Sequence, residues 1–147
     1  MYFKYFDLPQ IPEHLYLKTV SEFESLTNIF RLPNYPCFKQ YHVNEELNEF
    51  MRQHVKFDFF CGYQLIRNNI AIHKDAGRAE CVNYLIDTGG PNAQLNIFDE
   101  DKITILHSEK IPPFKWHWID VSKNHNVTGI DTVRIAISLS VLSGSLK

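Results

Sequence analysis

From about residue 57 the chain repeats one pattern: short runs of alternating apolar and polar side chains, each closed by turn-forming residues. Period-two runs of this length predict β-strands. Phe57 to Ile66 ends at Arg67-Asn68-Asn69, and Ile70-Ala71-Ile72 leads directly into His73. Glu80 to Ile86 stops at the turn cluster Asp87-Thr88-Gly89-Gly90-Pro91. Gln94 to Phe98 and Ile103 to His107 flank Asp99-Glu100-Asp101-Lys102, the profile of a hairpin. Phe114 to Ile119, a short run near His125, and Val133 to Leu142 complete the series. About eight strands with no helices between them predict a mainly β protein, a double-stranded β-helix of the jelly-roll or cupin-like kind. An immunoglobulin-like sandwich fits the pattern almost as well but leaves the positions of the His and Asp residues unexplained.

Residues 1–56 have a different texture, irregular and helical, punctuated by Pro9, Pro12, Pro33 and Pro36. Ser21-Glu22-Phe23-Glu24 has the spacing of a capping box. Asn44, with Glu45 and Glu46 behind it, is placed to cap a second helix. Leu47, Phe50, Met51 and Val55 form one apolar stripe at helical spacing. A stripe on a helix needs a surface to bury against, so these N-terminal helices are predicted to pack on one sheet. The expected organisation is one domain over residues 1–147, with residues 1–56 as a cover and 57–142 as the β core.

Composition narrows the function classes. The formal charge of −2 gives no electrostatic signal for nucleic acid or for a membrane surface. No apolar stretch approaches the ~20 residues of a membrane span, and the first residues lack the features of a signal peptide. Cys37, Cys61 and Cys81 are odd in number and have no CxxC spacing, which argues against a disulfide framework or a zinc site. A cytoplasmic protein is expected.

The candidate chemistry lies in His73-Lys74-Asp75, His125 and Arg134. Two imidazoles and one carboxylate supply one face of a non-heme Fe(II) site and leave the opposite positions open. His73 and Asp75 sit at a strand end, two residues apart, so both side chains can point the same way. In Val133-Arg134-Ile135-Ala136-Ile137-Ser138-Leu139-Ser140, alternation places Arg134 on one face with Ala136, Ser138 and Ser140. One arginine above small residues describes a cavity with a charged anchor, and a buried guanidinium calls for an anion. The plainer reading gives Arg134 an internal acidic partner or a face in water. Tyr84 is placed to donate its hydroxyl to the same anion. His14, His42, His54, His107 and His117 read as surface or satisfied core imidazoles.

From about Tyr63 to Val141 the chain resembles the Fe(II)/2-oxoglutarate-dependent oxygenases, in particular their prolyl-hydroxylase-like branch. The marks are His73-Lys74-Asp75, Gly77-Arg78 leading to Tyr84-Leu85, Trp118-Ile119-Asp120, Asn124-His125-Asn126-Val127 and Arg134-Ile135-Ala136-Ile137. The resemblance implies His73, Asp75 and His125 as Fe(II) ligands. It implies Arg134, nine positions past His125, as the anchor for the distal carboxylate of 2-oxoglutarate. Tyr63, Tyr84 and Ser138 are the further residues expected at the cosubstrate, and Trp118 is expected in the core and pocket wall. The implied activity is a dioxygenase that consumes O₂ and 2-oxoglutarate, forms succinate and CO₂, and hydroxylates an unactivated C–H bond. The substrate stays open among a small molecule, a protein side chain and a nucleobase, as does the oligomeric state. Two alternatives remain: a cupin-like metal enzyme that does not use 2-oxoglutarate, and a non-catalytic β-sandwich binding module.

Overall fold

The computed structural model describes residues 1–27 and 37–147; Pro33 and Pro36 lie outside the described residues. The strands are β1 (Phe3–Tyr5), β2 (Phe38–His42), β3 (Phe59–Ile66), β4 (Ile70–His73), β5 (Glu80–Thr88), β6 (Gln94–Phe98), β7 (Ile105–Glu109), β8 (Trp116–Asp120), β9 (Asn124–Thr128) and β10 (Arg134–Val141). They form two antiparallel sheets, ordered β1-β8-β5-β10-β3-β2 and β4-β9-β6-β7. From β3 onward the chain passes back and forth between the sheets, and only the β6–β7 hairpin stays within one. This is the double-stranded β-helix that the eight alternating runs predict.

The six-stranded sheet is buried on both faces, so its strands read as nearly unbroken buried runs. Its outer face presents Tyr63, Leu65, Val82, Tyr84, Trp116, Trp118, Ile135, Ile137 and Leu139. The N-terminal segment covers that face with Ile11, Leu15, Tyr16, Phe23, Leu47, Met51 and Val55. The inner face shares a second cluster with the four-stranded sheet, built from Leu85, Ile119 and Ala136 against Leu95, Ile97 and Val127.

Two α-helices among the described residues belong to the cover. In α2 (Glu45–His54) the Asn44 carboxamide accepts a hydrogen bond from Leu47 N–H at 2.8 Å, the expected cap. Leu47 and Met51 are fully buried, and Phe50 packs beside them. The first α-helix, α1 (Val20–Phe23), is only four residues long. Its capping box is Thr19 with Glu22, two residues earlier than the Ser21–Glu24 spacing suggests. Both pairs have the same i, i+3 spacing, and Thr19 has the extended backbone that a cap needs.

The sequence pattern missed β1 and β2. Both lie in the stretch read as helical or irregular, and both are edge strands of the large sheet. β1 pairs with β8 over three residues, and β2 pairs with β3. Such short segments with one neighbour carry too few alternations to register as a period. At the β6–β7 turn, Asp101 accepts from Ile103 N–H, Thr104 N–H and the Thr104 hydroxyl at 2.9, 2.8 and 2.6 Å. That side-chain turn delays β7 until Ile105 and leaves Ile103 exposed.

Because Leu47 is fully buried on the outer face of the large sheet, Leu47→Ala is expected to cost about 2–5 kcal/mol. A lowered urea midpoint with an unchanged denaturant slope checks it.

Candidate metal centre

A β-bulge aims the first ligand candidate. On β4 and β9, Ile70 faces Val127 and His73 faces His125, so three steps on β4 match two on β9. Strict alternation from Ile70 would send His73 to the opposite face. The extra residue returns it to the cavity side, where Ile70, His73, His125 and Val127 all line one space. Asp75 follows β4 in a segment tied to the β8–β9 turn through Asp75 N–H donating to Val121 C=O at 3.0 Å.

The three side chains converge. One potential ligand atom from each of His73, Asp75 and His125 lies within 4.8 Å of the others. Asp75 Oδ1 is 3.2 Å from His73 Nε2 and 3.1 Å from His125 Nε2. Each imidazole is oriented from behind, with Nδ1 of His73 2.8 Å from Ala71 C=O and Nδ1 of His125 2.7 Å from Lys123 C=O. A carbonyl only accepts, so both Nδ1 atoms carry the proton and both Nε2 atoms turn toward Asp75. Two imidazole nitrogens and a carboxylate oxygen at this separation present converging negative ends, which a divalent cation satisfies. The donor set therefore fits Fe(II) or a similar ion.

The second oxygen of Asp75 is engaged differently. Arg78 Nε donates to Asp75 Oδ2 at 2.6 Å, while Arg78 Nη1 donates to Ser138 Oγ at 2.9 Å and Ser140 Oγ at 3.1 Å. Burial would raise the Asp75 pKa, but the hydrogen bonds that His125 and His73 donate when protonated at Nε2, with the Arg78 charge, hold it well below the usual carboxylate range. For His73, burial works against the proton, but the hydrogen bonds to Asp75 and to the Ala71 carbonyl and the Asp75 charge together raise the pKa.

A cavity of about 430 Å³ opens beside this cluster. Alternation on β10 holds as expected, with Ile135, Ile137 and Leu139 in the outer core and Arg134, Ala136 and Ser140 on the cavity wall. Arg134 is 4% exposed. Its Nη1 donates to Thr88 C=O at 3.2 Å, and no carboxylate among the described residues forms an ion pair with it. Burial pushes its pKa down to about 10, so the guanidinium is charged at neutral pH. The plainer reading, an acidic partner or a face in water, is not what the structure shows for Arg134.

Two of the expected cosubstrate residues are placed elsewhere, and a third is engaged by another partner. Tyr63 and Tyr84 both sit on the outer face of the large sheet, each 1% exposed in the core. The Tyr63 hydroxyl accepts from Leu17 N–H at 3.0 Å, and burial drives its pKa up to about 12. The cause is strand parity. On β5, Cys81, Asn83 and Leu85 face the cavity while Val82, Tyr84 and Ile86 face the N-terminal cover. On β3, Gln64 and Ile66 face the cavity while Tyr63 and Leu65 face the cover. Ser138 lies on the correct face, but its hydroxyl accepts from Arg78. Trp118 is a core residue, as expected, but on the outer face, where its Nε1 donates to Glu80 at 2.9 Å.

The cavity includes polar groups that the sequence reading did not single out for it. Arg78 was a mark of the resemblance without a role, Asn83 and Gln64 were hidden beside the tyrosines, and His117 read as a core imidazole. His117 is 1% exposed and lines the cavity, with Nδ1 3.1 Å from Lys115 C=O. Burial lowers its pKa to about 3, with the Arg134 charge adding to the effect. The Asn83 carboxamide oxygen is buried without a hydrogen-bond partner among the described residues. Parity counted from Arg134 through the neighbouring strands would have found Asn83, since it lies opposite Ser138 on β5.

Solved structures with this architecture include two of oxalate decarboxylase. One matches at a TM-score of 0.50 and 11% identity, covering 81% of this chain and 28% of that chain. The other, the Bacillus subtilis enzyme with Mn(II) centres, matches at 0.49 and 12% identity, covering 80% and 28%. The polyketide cyclase RemF from Streptomyces resistomycificus matches at 0.47 and 10% identity, covering 81% and 75%. At these identities the likeness is one of fold, and the chain spans under a third of the oxalate decarboxylase chains. No family model and no curated protein matches the sequence. No helix among the described residues is long and apolar enough to cross a membrane.

Two outcomes are expected at this cluster. His73→Ala or His125→Ala should weaken Co(II) uptake by more than about 100-fold, beyond what loss of an outer hydrogen-bond partner causes. Equilibrium dialysis measures it. Because His73 must be neutral at Nε2 to bind and its pKa is raised, metal uptake should release protons and weaken as the pH falls.

The neutral burial of His117 sets a separate pH dependence. Its folded pKa of about 3 lies below the ordinary value of 6.5, so the unfolded chain binds the extra proton between those values. Stability present above pH 6.5 should decline as the pH falls toward 3, by up to about 1.4 kcal/mol per unit. Denaturant titrations should show a shallower acid decline for His117→Asn.

Proposed function

We propose that the chain is a non-heme Fe(II)/2-oxoglutarate-dependent dioxygenase that hydroxylates an unactivated C–H bond. The observation that carries this reading is Arg134: a charged, buried guanidinium whose hydrogen-bond partner among the described residues is a carbonyl, in the same cavity as the His73, Asp75 and His125 cluster. A buried cation of this kind is costly unless an anion meets it, and the fork of a guanidinium matches a carboxylate. The resemblance of the motifs to the oxygenase superfamily supports the same assignment.

In this reading His73, Asp75 and His125 hold the iron, and Arg134 binds the distal carboxylate of 2-oxoglutarate. The bound iron supplies O₂ chemistry, coupled to decarboxylation of the keto acid to succinate and CO₂. The protein contributes placement and dryness. Arg78 and Ser138 tie the metal cluster to β10 at a point four residues from Arg134, roughly 13 Å of extended strand. A diacid reaching from iron toward Arg134 lies along the wall formed by Ala136, Asn83 and Leu85. His117, neutral beside the Arg134 charge, takes no anion from it. Phe38, Phe60 and Leu142 also line the cavity, and Phe60 and Leu142 are exposed. They place an apolar rim where a substrate of unassigned identity would enter.

Arg134→Ala should keep the fold and the metal but bind 2-oxoglutarate about 10- to 150-fold more weakly, from the loss of a charged hydrogen bond of about 1.5–3 kcal/mol. Anaerobic titration of the Fe(II) protein, followed by its visible charge-transfer band, measures this. An Arg134→Ala variant that titrates like wild type would favour a cupin-like metal enzyme that does not use 2-oxoglutarate. Tyr84→Phe, by contrast, should leave the titration unchanged and cost about 1 kcal/mol of stability.

A further inference from the structure

We propose that Arg78 is a positioning residue that keeps Asp75 a one-oxygen ligand and so reserves adjacent coordination positions for a chelating keto acid. The inference rests on the proposed metal assignment. A carboxylate near a divalent cation can bind through one oxygen or through both, and the second mode takes up one more position. A site meant to accept a two-point chelate cannot spare that position.

The two oxygens of Asp75 have different surroundings. Oδ1 faces both imidazoles, at 3.2 and 3.1 Å. Oδ2 receives Arg78 Nε at 2.6 Å, a short charge-assisted hydrogen bond. Rotating the carboxylate so that both oxygens face the imidazoles would break that bond. Arg78 cannot follow the rotation readily, because Nη1 is held by two hydroxyls spaced two residues apart on β10, Ser138 and Ser140. The side chains of Arg78 and Asp75 are only 16% and 13% exposed, so water is poorly placed to replace the contact. A guanidinium suits this task, since its donors point in fixed directions and reach the carboxylate and the serines together. The backbone at Gly77, with φ of +84°, turns the chain between Asp75 and Arg78 in a conformation that favours glycine.

The test uses the Co(II)-loaded full chain and two five-carbon diacids of equal charge, 2-oxoglutarate and glutarate. Only the first can chelate through a keto oxygen. At saturating Co(II), Arg78→Ala should bind 2-oxoglutarate about 10-fold or more weakly, while its glutarate affinity stays near wild type. Visible spectra of the Co(II) protein should differ between Arg78→Ala and wild type before any diacid is added, as expected for a changed carboxylate mode. Arg78→Lys, which restores a cation but not the fork, should recover part of the 2-oxoglutarate affinity and guards against a variant that fails to fold. Equal losses for both diacids, or unchanged 2-oxoglutarate binding in Arg78→Ala, would overturn the positioning role while leaving the metal assignment intact. Wild-type protein that takes up no Co(II) would overturn both.

Discussion

The large sheet is buried on both faces, and that constraint shapes everything else in this protein. A strand with two buried faces cannot send its polar residues to water, so each polar position on the inner face must be paired or lie against a cavity. On β10 the division is sharp. Ile135, Ile137 and Leu139 seal against the N-terminal cover, and the residues between them form a wall of small side chains with one guanidinium. If the cover did not pack on the outer face, Tyr63, Tyr84 and Trp118 would be exposed to solvent and the sheet would have no reason to hold its register. The helices that look peripheral to the chemistry therefore stabilise the wall that carries it.

Electrostatics at the inner face follow from the same burial. Asp75 collects contacts from His73, His125 and Arg78, three groups within hydrogen-bond reach in a partly dry pocket. At low dielectric such interactions are strong, and leaving any member unpartnered is costly. Arg134 is the exception in the cavity, since among the described residues it has the Thr88 carbonyl and no acid. The contrast between the two arginines is informative. Arg78 is paired with its carboxylate, whereas Arg134 keeps an uncompensated charge among the described residues, which the proposed reading assigns to a ligand.

The sequence made the strand series, the β-helix, the Asn44 cap, the helical stripe and the meeting of His73, Asp75 and His125 legible. Each of these depends on local spacing or on a residue type with few alternative uses. What it hid depends on parity across strands. The assignment of Tyr84 to the cavity failed because aromatic hydroxyls suit a carboxylate chemically, while the phase of β5 relative to β10 places Asn83, not Tyr84, on that side. The bulge in β4 was invisible for a related reason, since an extra residue between Ile70 and His73 leaves no mark in composition. Arg78 stayed without a role because its partners, Ser138 and Ser140, lie about sixty residues away in the chain. β1 and β2 were lost because an edge strand of a few residues reads like any irregular segment.

Parity also explains why the cavity is polar at its wall and apolar around it. The inner-face positions of β3, β5 and β8 bring Gln64, Asn83 and His117 alongside Ile66, Leu85 and Ile119. Neutral amides and a neutral imidazole orient a ligand without competing for its charge, which leaves Arg134 and the His/Asp cluster as the two poles of the space. In the proposed reading, a dianion with a metal-chelating end and a free carboxylate end would be attracted to both poles at once, and its orientation would be set by which end can chelate. A monoanion satisfies only one pole and leaves the other desolvated. Selectivity for a bifunctional acid would thus arise from the separation of the poles along β10, fixed by the hydrogen-bonded register of that strand with β3 and β5.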